Sequence, residues 1–78
     1  MPRLPVLRAK EIIRIFLSIG FYTHHQTGSY VHLRHYKKVQ LRITIPRHDR
    51  FDIPPFVLNN ILKQAEITKE EFLKLLKK

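Results

Sequence analysis

Histidine is the residue type in this sequence best suited to proton transfer near neutral pH. The chain carries five histidines, at positions 24, 25, 32, 35 and 48. Two histidines can cleave RNA without a metal, because one imidazole removes the 2′-hydroxyl proton and the other protonates the leaving 5′-oxygen. His32 is our first catalytic candidate, and His24 has similar access if its strand alternates regularly. A partly exposed histidine that only contacts phosphate is the competing interpretation.

A metal site is the other use that five histidines suggest. Residues one or three positions apart in a regular strand point to opposite faces, so neither His24 with His25 nor His32 with His35 can chelate one ion. The chain contains no cysteine, which removes thiolate ligands and disulfides. The sequence therefore predicts no metal and no other cofactor.

Positive charge dominates the composition. Fifteen Lys and Arg residues stand against six Asp and Glu residues, which gives a net charge of +9. This balance is typical of a protein that binds a polyanion, and both nucleic acid and an acidic protein fit it. Solvation of the charges is the competing interpretation. The candidate contacts to nucleic acid are Ser29, Arg34, Lys37, Lys38, Arg42, Arg47 and His48.

These residues must be positioned by a small number of elements. Apolar residues recur at helical spacing from Arg8 to about Ser18, from Pro55 to Ala65, and after the capping box that begins at Thr68. Between them, residues 21–45 have the composition of three strands, with turns near residues 27–29 and 36–38. The sequence predicts an α+β fold in which helices cover one face of a three-stranded antiparallel sheet. At 78 residues, one domain over 1–78 is expected.

Strict alternation in the second and third strands predicts that the sheet has one apolar and one basic face. Val31 and Leu33 oppose Tyr30, His32 and Arg34. In the next strand the apolar set is Val39, Leu41, Ile43 and Ile45, and it opposes Gln40, Arg42 and Thr44. No stretch approaches the roughly 18 apolar residues of a membrane span, so we expect no membrane partner. Because the sequence has no cysteine, nothing in it indicates an oxidising compartment, and we expect a cytoplasmic protein.

Five short motifs, in this order, resemble the HicA family of bacterial toxins, and together they extend over nearly the whole chain. They are Gly20-Phe21, Gln26-Thr27-Gly28-Ser29, Thr44-Ile45-Pro46-Arg47-His48, Ile61-Leu62-Lys63-Gln64-Ala65 and Thr68-Lys69-Glu70-Glu71-Phe72. The resemblance implies a fold like that of double-stranded-RNA-binding domains. It also implies an mRNA interferase, which is an endoribonuclease that cuts single-stranded mRNA and is held inactive by a HicB-like antitoxin protein.

The sequence departs from the family pattern at two positions. Tyr30 stands where the resemblance implies a catalytic histidine, and Glu66 stands where it implies a glycine. A phenol is protonated at neutral pH, so Tyr30 can donate a proton but needs cationic neighbours to accept one. Tyr30 and His32 are therefore the leading catalytic candidates, with His24 beside them.

Two functions follow from these observations. The first is a metal-independent RNase toxin, attenuated if Tyr30 cannot replace histidine. The second is a non-catalytic module that binds RNA or an antitoxin and has kept the HicA fold. A basic structural protein without an RNA partner is a third interpretation, which the uneven placement of charge disfavours.

Overall fold

The computed structural model describes residues 4–47 and 52–77, and it contains three helices and three strands in these ranges. The elements follow the predicted order: α1 (Ala9–Leu17), β1 (Phe21–Thr27), β2 (Tyr30–His35), β3 (Arg42–Pro46), α2 (Pro55–Ala65) and α3 (Lys69–Leu76). The strands form one antiparallel sheet in the order β1-β2-β3. The α+β prediction is therefore confirmed.

The apolar core lies between the helices and one face of the sheet. Cross-strand pairs Val31 with Ile45 and Leu33 with Ile43 supply its sheet side, and all four side chains are buried. Phe16 of α1 is fully buried, with its ring centroid 5.3 Å from that of Phe21. Because the opposite face has no helix among the described residues, the polar side chains of the strands remain accessible there.

The third strand is shorter than predicted, and several apolar side chains near the ends of elements are exposed or half-buried. The third strand begins at Arg42, and Val39 is 67% exposed in the preceding loop. A turn in which the Leu41 amide donates to the Lys38 carbonyl places Val39 outside the ladder. Leu17, at the end of α1, is also exposed, and α3 buries only Phe72 fully while Leu75 and Leu76 are half-buried. Helix ends and edges leave these side chains without a layer to cover them.

A β-bulge interrupts β1 at His24. Thr23 pairs with Leu33, but the next pair joins His25 to His32, so His24 has no partner of its own across the ladder. An extra residue in one strand shifts the alternation of everything that follows it. The expectation that His24 keeps a regular alternation, and that His24 and His25 point to opposite faces, is therefore wrong.

The connection between α2 and α3 is held by backbone hydrogen bonds around Glu66. Glu66 has φ 58° and ψ 40°, the left-handed conformation, and the Ile67 amide donates to the Leu62 carbonyl. These are features of a Schellman helix end, where glycine is usual. The predicted capping box of α3 is present, with the Glu71 amide 3.1 Å from Thr68 Oγ1. In the ranges described, no helix is both long and apolar enough to cross a bilayer.

Candidate active site on the polar face of the sheet

The accessible side of the sheet, here called the polar face, consists of three cross-strand rows. The pairing registers define them as Tyr22-Arg34-Arg42, His25-His32-Thr44 and Thr27-Tyr30-Pro46. Residues directly opposite one another on neighbouring strands project from the same face. Each row therefore combines side chains from all three strands at one level of the sheet.

The middle row lies in a shallow groove of about 270 Å³. This volume is small for a pocket that would enclose a drug-sized molecule, but an open groove can accept one segment of a longer chain. Most of its lining residues are polar, and the others are Leu33 and Ile43. The polar lining residues are His24, His25, His32, Arg34, Arg42 and Thr44.

His25 and His32 form a stacked pair in this groove. Their ring centroids are 4.4 Å apart and the ring planes differ by 20°. The ring of His24 lies 5.1 Å from that of His25, at an angle of 73°. The bulge is the cause of both contacts, because it moves His25 opposite His32 and leaves His24 beside it on the same groove.

Thr44 holds the ring of His32 from the third strand. Its Oγ1 lies 3.3 Å from His32 Nδ1. Thr44 is itself fixed from the helical layer, because its backbone amide donates to Gln64 Oε1 at 3.0 Å. Gln64 thus satisfies an amide on the open edge of β3, and a chain of contacts connects α2 to the histidine pair.

Arg34 and Arg42 face each other across β2 and β3 in the row next to the histidines. Both line the groove, Arg34 half-buried and Arg42 exposed. The sequence has no acidic residue between Glu11 and Asp49, so the three strands carry no carboxylate to neutralise these guanidinium groups. The groove is consequently a cationic environment suited to a phosphate group.

The predicted site residues separate into those in the groove and those outside it. His24, His32, Arg34 and Arg42 come together there. Tyr30 is 50% exposed in the next row, opposite Thr27 and Pro46, and does not line the groove.

The remaining predicted RNA contacts surround the sheet at other places. Ser29 lies in the β1–β2 turn, where its carbonyl accepts from the Arg47 amide. Lys37 and Lys38 are exposed in the loop after β2. Arg47 lines a separate cavity with Arg8 and Lys10 near the start of α1, and His48 lies outside the described residues.

His35 has surroundings that differ from those of the other described histidines. Its Nε2 lies 3.0 Å from the Ile19 carbonyl, and its Nδ1 accepts from the amides of Lys37 and Lys38, both at 3.1 Å. Because Nδ1 accepts, the proton must be on Nε2, which donates to Ile19. The ring also packs edge-on against Phe21. His35 therefore has a structural role on the face of the sheet opposite His32, where strand parity predicts it.

Sequence reasoning missed the parts of the site that depend on the bulge and on α2. His25 is not among the catalytic candidates that the sequence predicts, and the sequence predicts no role for Thr44 or Gln64 in the site. The one signal in the sequence for the role of Gln64 was its position within the Ile61–Ala65 motif. Among the described residues, no group of three or more His, Cys, Asp or Glu side chains is arranged to hold a metal.

Comparison with known proteins connects this geometry to a family. A model of the HicA toxin of bacterial toxin-antitoxin systems matches residues 9–67, from the first residue of α1 to the residue before the α3 capping box. A search of curated proteins gave no match. The matched range covers more than half of the 78 residues and includes every groove residue. The chain therefore belongs to the HicA family of toxins.

Proposed function

We propose that this protein is the toxin of a toxin-antitoxin pair and cleaves single-stranded mRNA without a metal, with His25 and His32 as its acid–base pair. The observation that carries the proposal is the stacked pair of histidines beside Arg34 and Arg42 in an accessible groove. Neutral histidine accepts a proton and imidazolium donates one, so one pair supplies both transfers that RNA cleavage needs.

The reaction would be an internal transesterification. The 2′-oxygen attacks the adjacent phosphorus, the bond from phosphorus to the 5′-oxygen breaks, and the products are a 2′,3′-cyclic phosphate and a 5′-hydroxyl. If His32 Nδ1–H donates to Thr44 Oγ1, the lone pair of its Nε2 is free to take the 2′-hydroxyl proton. His25 would then donate a proton to the 5′-oxygen.

Arg34 and Arg42 would bind the phosphate and stabilise its negative charge. Negative charge accumulates on its non-bridging oxygens as the 2′-oxygen attacks, and preorganised cations stabilise that charge more in the transition state than in the ground state. Guanidinium groups also offer paired donors that match two phosphate oxygens. In this assignment the imidazoles transfer protons, and the arginines stabilise the negative charge on the phosphate oxygens.

A non-catalytic module is the second candidate function. Tyr30 occupies the position at which the HicA resemblance implies a catalytic histidine, and it lies outside the groove. In that case the polar face would bind RNA or an antitoxin but would not cleave RNA. In both cases we infer that a HicB-like antitoxin covers the polar face, with acidic groups opposite Arg34 and Arg42.

The deciding experiment is cleavage of a long single-stranded RNA by antitoxin-free protein in EDTA. We expect the natural protein to cut, and His32→Ala and His25→Ala each to lower the rate by roughly 10²- to 10⁴-fold, the range for loss of a general acid or base. Thr44→Val should lower kcat while Thr44→Ser retains it, because serine keeps the hydroxyl that contacts His32.

Matched variants separate the candidate functions. His24→Ala should leave most activity if His25 is the partner of His32, whereas a loss as large as that of His25→Ala would favour His24. Tyr30→Phe should cut as the natural protein does. If the natural protein binds RNA but cuts only after Tyr30→His, the nuclease proposal fails and the non-catalytic module stands. Products without a cyclic phosphate would contradict the transesterification.

A further inference from the structure

Two tyrosines form an aromatic surface on the polar face beside the groove. Tyr22 lies in the row of Arg34 and Arg42, and Tyr36 follows two residues after Arg34. The ring centroids of Tyr22 and Tyr36 are 5.0 Å apart and their planes differ by 39°. Tyr36 is 73% exposed, while Tyr22 is half-buried. One ring thus supports the other, and much of the outer ring remains in water.

The backbone that carries Tyr36 is fixed on both sides. Its own amide donates to the Gly20 carbonyl at 3.1 Å, which extends the β1–β2 ladder by one hydrogen bond. The next amide, that of Lys37, donates to His35 Nδ1. A ligand that stacks on Tyr36 therefore does not have to order the backbone first, and this lowers the entropic cost of binding.

The neighbours of the aromatic pair are cations. Arg34 and Arg42 lie in the same row as Tyr22, and Lys37 and Lys38 follow Tyr36 in the chain with exposed side chains. Aromatic rings among cations are the combination that binds single-stranded nucleic acid, because bases stack on the rings while the cations hold the phosphates. Along β2, Arg34 is roughly 7 Å from His32, and Tyr36 follows directly after the end of the strand.

We propose that Tyr22 and Tyr36 form a platform on which one unpaired base of the bound RNA stacks, within one or two nucleotides of the phosphate held in the groove. The inference rests on the proposed function, because it takes RNA as the ligand. The platform also requires a base that is unpaired and can unstack from the adjacent bases. In a duplex the faces of the bases are already stacked, so the platform selects single-stranded RNA.

Binding can be measured apart from cleavage with a single-stranded RNA that carries 2′-O-methyl groups throughout, since this strand has no 2′-hydroxyl to attack phosphorus. We expect Tyr36→Leu to weaken its affinity about tenfold, within the range for loss of one base–aromatic stack, and Tyr36→Phe to change it less than twofold. Phe56→Leu is the matched control, because Phe56 is 71% exposed on α2, in the layer behind the sheet. Phe56→Leu should bind the 2′-O-methyl strand as tightly as the natural protein does.

Tyrosine emission gives a second readout. The chain has no tryptophan and three tyrosines, so Tyr30→Phe leaves Tyr22 and Tyr36 as the fluorophores. Stacking of a base should quench their emission when the 2′-O-methyl strand is added, and an abasic strand of the same length should quench much less. Equal quenching by both strands would overturn the platform.

The outcomes distinguish the platform from the nuclease. If Tyr36→Leu weakens binding of the 2′-O-methyl strand but the natural protein cuts no RNA, the platform stands and the nuclease proposal fails. If the protein cuts RNA and Tyr36→Leu binds the strand as tightly as the natural protein, the platform is wrong and the nuclease stands. If Tyr36→Leu weakened the binding of single-stranded and duplex RNA equally, that result would also overturn the platform.

Discussion

His32 and His35 lie three residues apart on one strand and have opposite surroundings. His32 faces the groove and contacts a hydroxyl that can donate or accept a hydrogen bond. His35 accepts two backbone amides and donates to a carbonyl, and a Cβ on Gly20 would come within 2.6 Å of its Nε2. At the scale of single residues, hydrogen-bond partners therefore distinguish a histidine that is available for proton transfer from one that has a structural role.

Replacement of His35 should destabilise the protein without touching the groove. His35→Ala removes three hydrogen bonds, each with a net contribution of about 0.5–1.5 kcal/mol, so we expect the free energy of unfolding to fall by about 2 kcal/mol. Urea denaturation followed by circular dichroism measures this change. The control is His24→Ala, because His24 is exposed and should change stability by less than about 0.5 kcal/mol. Equal effects of the two substitutions would contradict the structural role.

At the scale of elements, two local irregularities have different consequences. The bulge in β1 creates the contact between His25 and His32 and so determines the proposed chemistry. The left-handed Glu66 only reverses the chain between α2 and α3, and its side chain is exposed. A non-glycine residue in this conformation costs roughly 1–2 kcal/mol. Within residues 4–47 and 52–77, the Glu66 side chain makes no hydrogen bond or ion pair that would offset this cost, and only its backbone amide is bonded, to the Lys63 carbonyl.

Glu66→Gly should therefore stabilise the protein. Glycine relieves the strain but is more flexible in the unfolded chain, so the expected net gain is about 0.5–1 kcal/mol in the free energy of unfolding. Thermal and urea denaturation both test it. Glu66→Gln is the matched control, because it removes the charge and keeps the side-chain length, and it should leave stability nearly unchanged. A gain from Glu66→Gln equal to that from Glu66→Gly would assign the effect to charge.

At the scale of the whole molecule, charge is distributed unevenly. Acidic residues are absent between Glu11 and Asp49, and this segment contains all five histidines and the whole sheet. The acidic residues that the structure describes lie in or next to the helices, apart from Asp52, which forms an ion pair with Arg8. The polar face therefore carries the positive charge of Arg34 and Arg42, and no acidic residue on the strands opposes it.

RNA binding should be strongly dependent on salt, and the dependence should be localised. For single strands the slope of log K against log salt concentration changes by about 0.7 for each phosphate contact. Arg34→Gln and Arg42→Gln should each reduce the slope by about 0.7 for the 2′-O-methyl strand. Arg14→Gln, an exposed arginine on α1, should leave it unchanged. A uniform reduction by all three substitutions would mean that net charge, and not the polar face, binds RNA.

The sequence by itself determined the order of the elements, the apolar face of the sheet and the basic character of the opposite face. Alternation in β2 and β3, helical spacing around Ile12 and Ile61, and the capping box at Thr68 are local signals, and each agrees with the structure. The resemblance to the HicA family, carried by short motifs in a fixed order, agrees with the match over residues 9–67.

Only the tertiary structure decided which residues meet in the groove. A bulge depends on how two strands pair, and no residue type in Tyr22–Gln26 marks it, so His25 and not His24 came to lie opposite His32. Thr44 and Gln64 are twenty residues apart and meet because α2 packs along β3. Tyr22 and Tyr36 meet because the ladder continues to Gly20. Each contact depends on register and packing, which arise between segments that are distant in the chain.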